Sequence, residues 1–163
     1  MTTSRARLSR LLDSSELASD AEPSTRFMLV DDHRLFGDGL RALVSREAQL
    51  ELVAIAHDAD QARLLAAARD CDVAVVDVSL PGVAGPLLAR ELKRSLPLLH
   101  ILMLSMHDEA EIVAQCFDNG ADGYALKSQS PSELFAAIRA VAAGERYLAP
   151  TLAQQAARLR RRV

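Results

Sequence analysis

Four apolar runs in this chain end in side chains that can take part in phosphate or metal chemistry. Two of the runs end in carboxylates, one in a hydroxyl and one in an ammonium. The residues are, in chain order, Asp31 with Asp32, Asp77, Ser105 and Lys127. Ligands of open parallel sheets bind at the carboxyl ends of the strands, so the sequence predicts that these side chains line one site.

The combination of charges indicates phosphoryl transfer. Three carboxylates in one place repel one another unless cations compensate. Mg²⁺, which takes carboxylate oxygens and waters, is one suitable cation, and the ammonium of Lys127 is the other. Together they would neutralise the oxygens of a phosphoryl group, to which Ser105 would donate a hydrogen bond. Asp77 is then the natural nucleophile, because a carboxylate can form an aspartyl phosphate.

Each of these residues also has an ordinary alternative role. An Asp after a strand is commonly a turn former or a helix cap, as is a Ser, and a Lys at a strand end is commonly just solvated. The joint occurrence at four strand ends is what favours a site over coincidence.

Alternating strand and helix patterns provide the scaffold. Short apolar runs predict strands at 27–30, 52–55, 73–76, 101–104 and 123–126, with amphipathic helices between and after them. The helix after the fourth strand should stop at Asn119-Gly120, and the last one should start at Ser130-Pro131. Five strands alternating with five helices predict an α/β fold with a doubly wound parallel sheet and helices on both faces.

The composition suits one globular domain. The chain has 163 residues, of which 50% are hydrophobic, and a net charge of −3, so charge alone gives no general affinity for nucleic acid or an anionic membrane. We expect no membrane span, since no apolar run approaches about 20 residues, and no secretory leader. Cys71 and Cys116 are expected to be small buried hydrophobes in a reducing compartment. These features predict a cytoplasmic protein.

Domain boundaries follow from changes in composition. Residues 1–25 are polar and predict a flexible N-terminal tail, 26–145 hold the alternating pattern, and 146–163 predict a linker with a short helix. The basic run 158–162 could contact DNA phosphates, but a helix C-terminus, where cations suit the dipole, explains it more simply.

The motifs carry a family resemblance. Val-Asp31-Asp32-His, Val-Val-Asp77-Val-Ser-Leu-Pro-Gly, Met-Leu-Ser105 and Gly-Ala-Asp-Gly-Tyr124-Ala-Leu-Lys127 resemble the receiver domain of two-component response regulators over about residues 26–145. In sequence these segments most resemble the NarL/FixJ group, whose output domain is a LuxR-type helix-turn-helix. The resemblance implies a flavodoxin-like sheet of five strands in the order 2-1-3-4-5.

It also implies residue roles. Asp77 would accept phosphate from a sensor histidine kinase. Asp32, Asp77 and the backbone carbonyl of Ser79 would hold Mg²⁺ (or Mn²⁺), with Asp31 acting nearby or through a water. Ser105 and Lys127 would grip the phosphoryl group. The chain's own chemistry would then be limited to self-phosphorylation and slow autodephosphorylation.

Tyr124 would be the switch aromatic of such a domain. Its inward rotation would follow the movement of the Ser105 hydroxyl and change the face formed by the fourth helix, the fifth strand and the fifth helix. The alternative is that Tyr124 is an ordinary aromatic residue on an edge strand, without a switch role. A homodimer would form through that face or through the first and fifth helices. DNA would be reached only through an output domain, and no helix-turn-helix is expected after residue 162.

Two departures from the family pattern stand out. Ser79, two residues past the acceptor, has no carboxylate or amide to orient an attacking water, which predicts a long-lived aspartyl phosphate. The loop 80–85 lacks the usual methionine and acid after Pro-Gly, a change that the fold should tolerate.

Other functions stay open for this pattern. The chain could be a phosphorylation-independent pseudo-receiver or a stand-alone interaction module, although the full set of acids, Ser105 and Lys127 argues against it. A flavodoxin-like FMN binder or a haloacid dehalogenase-type phosphatase is less well supported. Asp31-Asp32 would repel the FMN phosphate, and Ser79 stands where the phosphatase needs an acid. The histidines, at 33, 57, 100 and 107, are scattered and predict surface or capping roles rather than a metal site.

Overall fold

Parallel strands form one six-stranded sheet in the computed structural model, which describes residues 24–162. Their bounds are β1 Thr25–Val30, β2 Leu50–Ala56, β3 Val73–Asp77, β4 His100–Ser105, β5 Gly123–Leu126 and β6 Tyr147–Leu148. The order across the sheet is β2-β1-β3-β4-β5-β6, and every pairing is parallel. The predicted doubly wound sheet with the order 2-1-3-4-5 is confirmed, and β6 is an addition to it.

Helices cover both faces of the sheet. Within residues 24–162 they are α1 Arg34–Val44, α2 Ala59–Ala68, α3 Gly85–Ser95, α4 Ala110–Asp118, α5 Pro131–Ala142 and α6 Pro150–Arg161. Helices α1 and α5 pack with Phe27 and Leu29 on one face, while α2, α3 and α4 pack with Met28 and Val30 on the other. Alternate residues of a strand point to opposite faces, so the sheet separates two apolar cores. None of these helices is long and apolar enough to cross a membrane.

The central strand β3 is buried along its whole length, from Val73 to Asp77. This agrees with its uninterrupted apolar sequence, the pattern expected for a strand covered on both faces. Asp77 is only 2% exposed at the end of the strand. A charge buried this deeply needs partners, and these are Lys127, which follows β5, and the backbone amide of Ser79.

Local signals fix the ends of the segment that carries β5. Helix α4 ends at Asp118, and Gly120 follows with a φ of 95°, in the left-handed region that favours glycine. Helix α5 begins at Pro131, where the hydroxyl of Ser130 accepts a hydrogen bond from the amide of Glu133. Both ends lie where the sequence predicted them.

The sheet continues past residue 145, where the sequence predicted the domain to end. Strand β6 runs beside β5, the amide of Ala149 donates to the carbonyl of Tyr124 at 2.9 Å, and Leu152 of α6 is buried. A strand of two residues is too short to show a period in the sequence. The tail predicted at 1–25 lies, up to residue 23, outside the described residues.

Candidate functional site

The predicted site residues come together at one edge of the sheet. Asp31 follows β1, Asp77 ends β3, Ser105 ends β4 and Lys127 follows β5. These four strands are neighbours, and Ser105 pairs with Leu126 directly before the lysine. The parallel pairing therefore places the four side chains at the carboxyl edge, where open sheets bind ligands.

The ammonium of Lys127 lies between two buried carboxylates. Its Nζ donates a hydrogen bond to Asp77 Oδ2 at 2.8 Å and lies 2.8 Å from Asp31 Oδ2. The Lys127 side chain is 9% exposed, and the Phe36 ring centroid lies 5.1 Å from Nζ, which adds a cation–π contact. One cation thus serves two buried anions, and the pocket keeps an excess of negative charge.

The two carboxylates tolerate their charges differently. Burial alone would raise the pKa of Asp31, but the Lys127 ammonium and the His33 backbone amide, 2.9 Å from Asp31 Oδ1, hold that pKa below its ordinary value. Burial raises the pKa of Asp77, with a contribution from the Asp31 charge, despite the hydrogen bonds from Lys127 and the Ser79 amide. Asp77 is therefore the carboxylate that gains most from a further cation, or from losing its charge in an ester.

The same pair of anions keeps Lys127 charged. Burial would lower the pKa of its ammonium, but Asp31 and Asp77 outweigh burial and raise it above the ordinary value. Lys127 is therefore a permanent cation beside Asp77, suited to hold an anionic group.

Asp32 extends the carboxylate cluster toward solvent, with a side chain that is 40% exposed. Oxygens of Asp31, Asp32 and Asp77 and a nitrogen of His33 all lie within 4.8 Å of one another. Asp31 Oδ2 is buried and is ion-paired with Lys127 Nζ at 2.8 Å. Mg²⁺ binds through one or two carboxylates and keeps several waters, so a cluster of three carboxylates that share one ammonium, one of them exposed, fits this ion.

Ser105 is connected to Tyr124 through the loop that follows β4. The hydroxyl of Ser105, which is fully buried, accepts a hydrogen bond from the amide of His107 at 2.9 Å. The carbonyl of His107 in turn accepts a hydrogen bond from the phenol of Tyr124 at 2.7 Å. Tyr124 is 0% exposed and burial raises its pKa to about 12. Because β6 flanks β5, Tyr124 is a core residue and not an edge aromatic.

Two histidines at the site were missed by the sequence reasoning, which assigned them surface or capping roles. His33 is exposed, but its Nδ1 lies 2.9 Å from Asp31 Oδ1. The signal available was its position directly after the two acids. His107 Nε2 lies 3.4 Å from the Ser79 hydroxyl, a contact between two loops that no local pattern indicates. The Ser79 carbonyl stays a predicted metal ligand.

Comparison with known proteins gives a consistent result. A family model described as the response regulator receiver domain matches residues 27–139. The response regulator UvrY of Escherichia coli O6:H1 is 36% identical over 130 residues, which are 80% of this chain and 60% of UvrY. The chain therefore spans less than two thirds of the length of this curated relative.

Solved structures extend the similarity to three dimensions. A two-component response regulator of the LuxR family from Aurantimonas is 37% identical, with a TM-score of 0.79, covering 84% of this chain and 98% of that one. The signal receiver domain of the putative response regulator NarL from Mycobacterium tuberculosis is 34% identical, with a TM-score of 0.71. That match covers 76% of this chain and 100% of the receiver domain from Mycobacterium tuberculosis.

Proposed function

The chain belongs to the response regulator receiver family, with relatives of the NarL/FixJ type, and we propose that it is a phosphorylatable signalling receiver that accepts a phosphoryl group on Asp77. One observation carries the proposal. Lys127 Nζ lies 2.8 Å from Asp77 Oδ2 in a pocket that three carboxylates line. This arrangement gives a buried nucleophile with a cation beside it and excess negative charge nearby.

Phosphoryl transfer uses these groups as follows. A carboxylate oxygen of Asp77 attacks phosphorus, a P–O bond forms, and the P–N bond to the donor histidine breaks, its electron pair leaving with the imidazole nitrogen. Asp77 loses its charge in the acyl phosphate, so the Lys127 ammonium turns from the carboxylate to a phosphoryl oxygen. The Ser105 hydroxyl donates a hydrogen bond to another oxygen. Mg²⁺ or Mn²⁺ held by the carboxylate cluster would supply the remaining positive charge against the phosphoryl oxygens.

The metal ligands in this proposal are Asp32, Asp77 and the backbone carbonyl of Ser79, with Asp31 directly beside them or acting through a water. The carboxylate cluster, in which Asp31 and Asp77 share one ammonium, supports this assignment. They give a hard, oxygen-rich site next to the nucleophile.

Signal output follows from the contact between the site and Tyr124. Movement of the Ser105 hydroxyl onto a phosphoryl oxygen acts on the His107 peptide and through it on the Tyr124 phenol. The face formed by α4, β5 and α5 contains Tyr124 and changes with it. Shifting a two-state equilibrium from 1:99 to 99:1 takes about 5.5 kcal/mol, which several charge-assisted hydrogen bonds can supply.

The partners follow from this role. The phosphoryl donor is a sensor histidine kinase, and homodimers form through the α4-β5-α5 face or through α1 and α5. DNA is reached through an output domain outside this chain, as part of transcription regulation. A receiver with these partners would act in the cytoplasm, the location expected from the sequence.

The chain acts as a signalling domain rather than as a turnover enzyme, limited to its own phosphorylation and slow dephosphorylation. Ser79 offers a hydroxyl where a water-orienting acid or amide would speed hydrolysis, and its contact with His107 leaves no carboxylate there. We expect an aspartyl phosphate that lasts minutes or more after removal of the donor. Loss of the label within seconds would contradict this expectation, and Ser79→Asp should shorten the lifetime.

The test is phosphorylation by acetyl phosphate with Mg²⁺, followed on a phosphate-affinity gel and by size exclusion. The parent should give a retarded band and Asp77→Asn none. Asp38→Asn is the matched control, because Asp38 is exposed and forms no ion pair among residues 24–162. A parent that stays unlabelled while remaining folded would favour the pseudo-receiver alternative. A change in elution volume on phosphorylation would reveal dimerisation.

A further inference from the structure

The imidazole of His33 lies inside the carboxylate cluster. Its Nδ1 is 2.9 Å from Asp31 Oδ1, 3.5 Å from Asp32 Oδ1 and 3.6 Å from Asp77 Oδ2. It is also 3.1 Å from Nζ of Lys127. The His33 side chain is 62% exposed, so Nδ1 faces the carboxylates while the ring remains open to solvent.

No single protonation state of Nδ1 satisfies these contacts together. With a proton, Nδ1 donates to Asp31 Oδ1 but places an N–H against the Lys127 ammonium. Without a proton, it accepts from Lys127 but points a lone pair at three carboxylates. A lone pair and carboxylate oxygens that lie within 4.8 Å of one another form a donor set that suits a divalent cation.

We propose that His33 Nδ1 is a protein ligand of the metal site and that the pocket binds a first-row transition-metal dication, such as Mn²⁺, Co²⁺ or Zn²⁺, more tightly than Mg²⁺. The inference rests on the proposed function, since it concerns the same site. A second observation is the unbalanced charge of the pocket. Asp31 and Asp77, which are 1% and 2% exposed, share the single ammonium of Lys127 at 2.8 Å each, so the carboxylates that Nδ1 contacts lack a second cation among the described residues.

Ligand chemistry explains the selectivity. Mg²⁺ prefers oxygen and water and gains little from an imidazole, whereas imidazole suits Zn²⁺ and the neighbouring transition metals. Three carboxylates and one imidazole therefore leave Mg²⁺ affinity nearly independent of His33. Transition-metal affinity should depend on it, and loss of the nitrogen should weaken binding at least about 10-fold, the smallest effect seen when a ligand's supporting contact is removed.

The experiment loads the full chain with Mn²⁺ and records pulsed electron paramagnetic resonance, in which a coordinated imidazole gives nitrogen modulation of the echo. The parent and the control His100→Gln should show the modulation, because His100 lies at the opposite edge of the sheet. His33→Gln should lose it. Calorimetric titration should give a Co²⁺ Kd at least about 10-fold weaker in His33→Gln, with Mg²⁺ affinity unchanged.

The outcomes separate this inference from the proposed function. Mn²⁺ binding without nitrogen modulation in the parent overturns the role of His33 and leaves the oxygen-ligated site intact. Equal Co²⁺ affinity in the parent and in His33→Gln does the same. If neither Mg²⁺ nor Mn²⁺ binds the parent, both the inference and the proposed metal site are wrong. His33 is exposed, so His33→Gln should fold like the parent, which circular dichroism checks.

Discussion

Amide replacements of the two buried carboxylates should change stability in opposite directions. In the metal-free chain, Asp77→Asn should raise the free energy of unfolding and Asp31→Asn should lower it. Both share one ammonium, but the pKa of Asp77 is raised, first by burial and then by its anionic neighbour. The pKa of Asp31 is lowered against burial, by Lys127 and by the His33 amide. A raised carboxyl pKa means that folding disfavours the charged form, and a lowered one means that folding favours it.

The magnitude follows from the distances. Two unit charges 4.8 Å apart, the upper limit within the cluster, repel by about 3.5 kcal/mol at an effective dielectric constant of about 20. Asp77→Asn removes two such repulsions, from Asp31 and Asp32, and the cost of burying the charge. It gives up the attraction of Lys127 at 2.8 Å, about 6 kcal/mol on the same scale.

The difference between these opposing terms leaves a gain on the order of 1 kcal/mol, or a rise in Tm of about 2–4 °C for a chain of this size. For Asp31→Asn the charge terms are alike, but the pKa of Asp31 is lowered despite burial, so its hydrogen bonds outweigh the burial cost that prevails at Asp77. Weakening them should lower stability by about 1 kcal/mol, the net contribution of a typical hydrogen bond.

The assay is urea unfolding in EDTA at pH 7.5, followed by far-ultraviolet circular dichroism because the chain has no Trp. Asp77 has a raised pKa, so its stabilising contribution is complete below the ordinary value of 3.8 and is lost as pH rises through the folded pKa. The advantage of Asp77→Asn should therefore shrink on acidification. The contribution of Asp31 is present above 3.8 and is lost as pH falls through its lowered pKa.

Asp38→Asn again serves as the exposed control. If Asp77→Asn unfolds at lower urea than the parent at pH 7.5, Lys127 compensates Asp77 fully and the charge argument is wrong. An Asp31→Asn variant more stable than the parent would contradict it equally.

Three further predictions concern single residues of the fold. Gly85→Ala should lower stability by about 1–3 kcal/mol and slow phosphorylation, because the added Cβ would overlap the backbone carbonyl oxygen of Asp77; thermal melts and label incorporation measure both. Ultraviolet titration should show the Tyr124 phenol ionising only near pH 12, and the stability linked to its neutral form should be lost as pH rises from 10 to about 12. Burial raises the thiol pKa of Cys71 and of Cys116 to about 11. Both thiols should therefore react slowly with iodoacetamide at pH 8 in the native chain and fast in urea.

The sequence could predict what depends on backbone direction alone. The valine run before Asp77 predicts a central strand, and the residue that ends a parallel strand must lie at the carboxyl edge. The meeting of Asp77, Ser105 and Lys127 therefore follows from the order of strands. The position of the His33 ring depends on its side-chain rotamer, which no periodicity records. The burial of Tyr124 depends on β6, a strand too short to predict.

The hydrogen bonds around Ser105 indicate which state phosphorylation would favour. A hydroxyl has one donor and two acceptor positions, and among the described contacts the Ser105 hydroxyl acts as an acceptor, from the His107 amide. Under the proposed function, its donor would bond a phosphoryl oxygen while the hydroxyl still accepts from His107. Phosphorylation would then keep the connection from Ser105 through His107 to Tyr124 and favour the buried position of Tyr124.

One such charge-assisted bond contributes about 1.5–3 kcal/mol, a factor of roughly 10 to 150 in the equilibrium between the two positions of the phenol. A shift from 1:99 to 99:1 takes about 5.5 kcal/mol, so under the proposed function Ser105 alone would not produce it. The remainder would come from Lys127, whose ammonium would exchange a shared carboxylate for a phosphoryl oxygen. Tyr124 belongs to β5 and Lys127 follows that strand directly, so both contributions would act on one short segment.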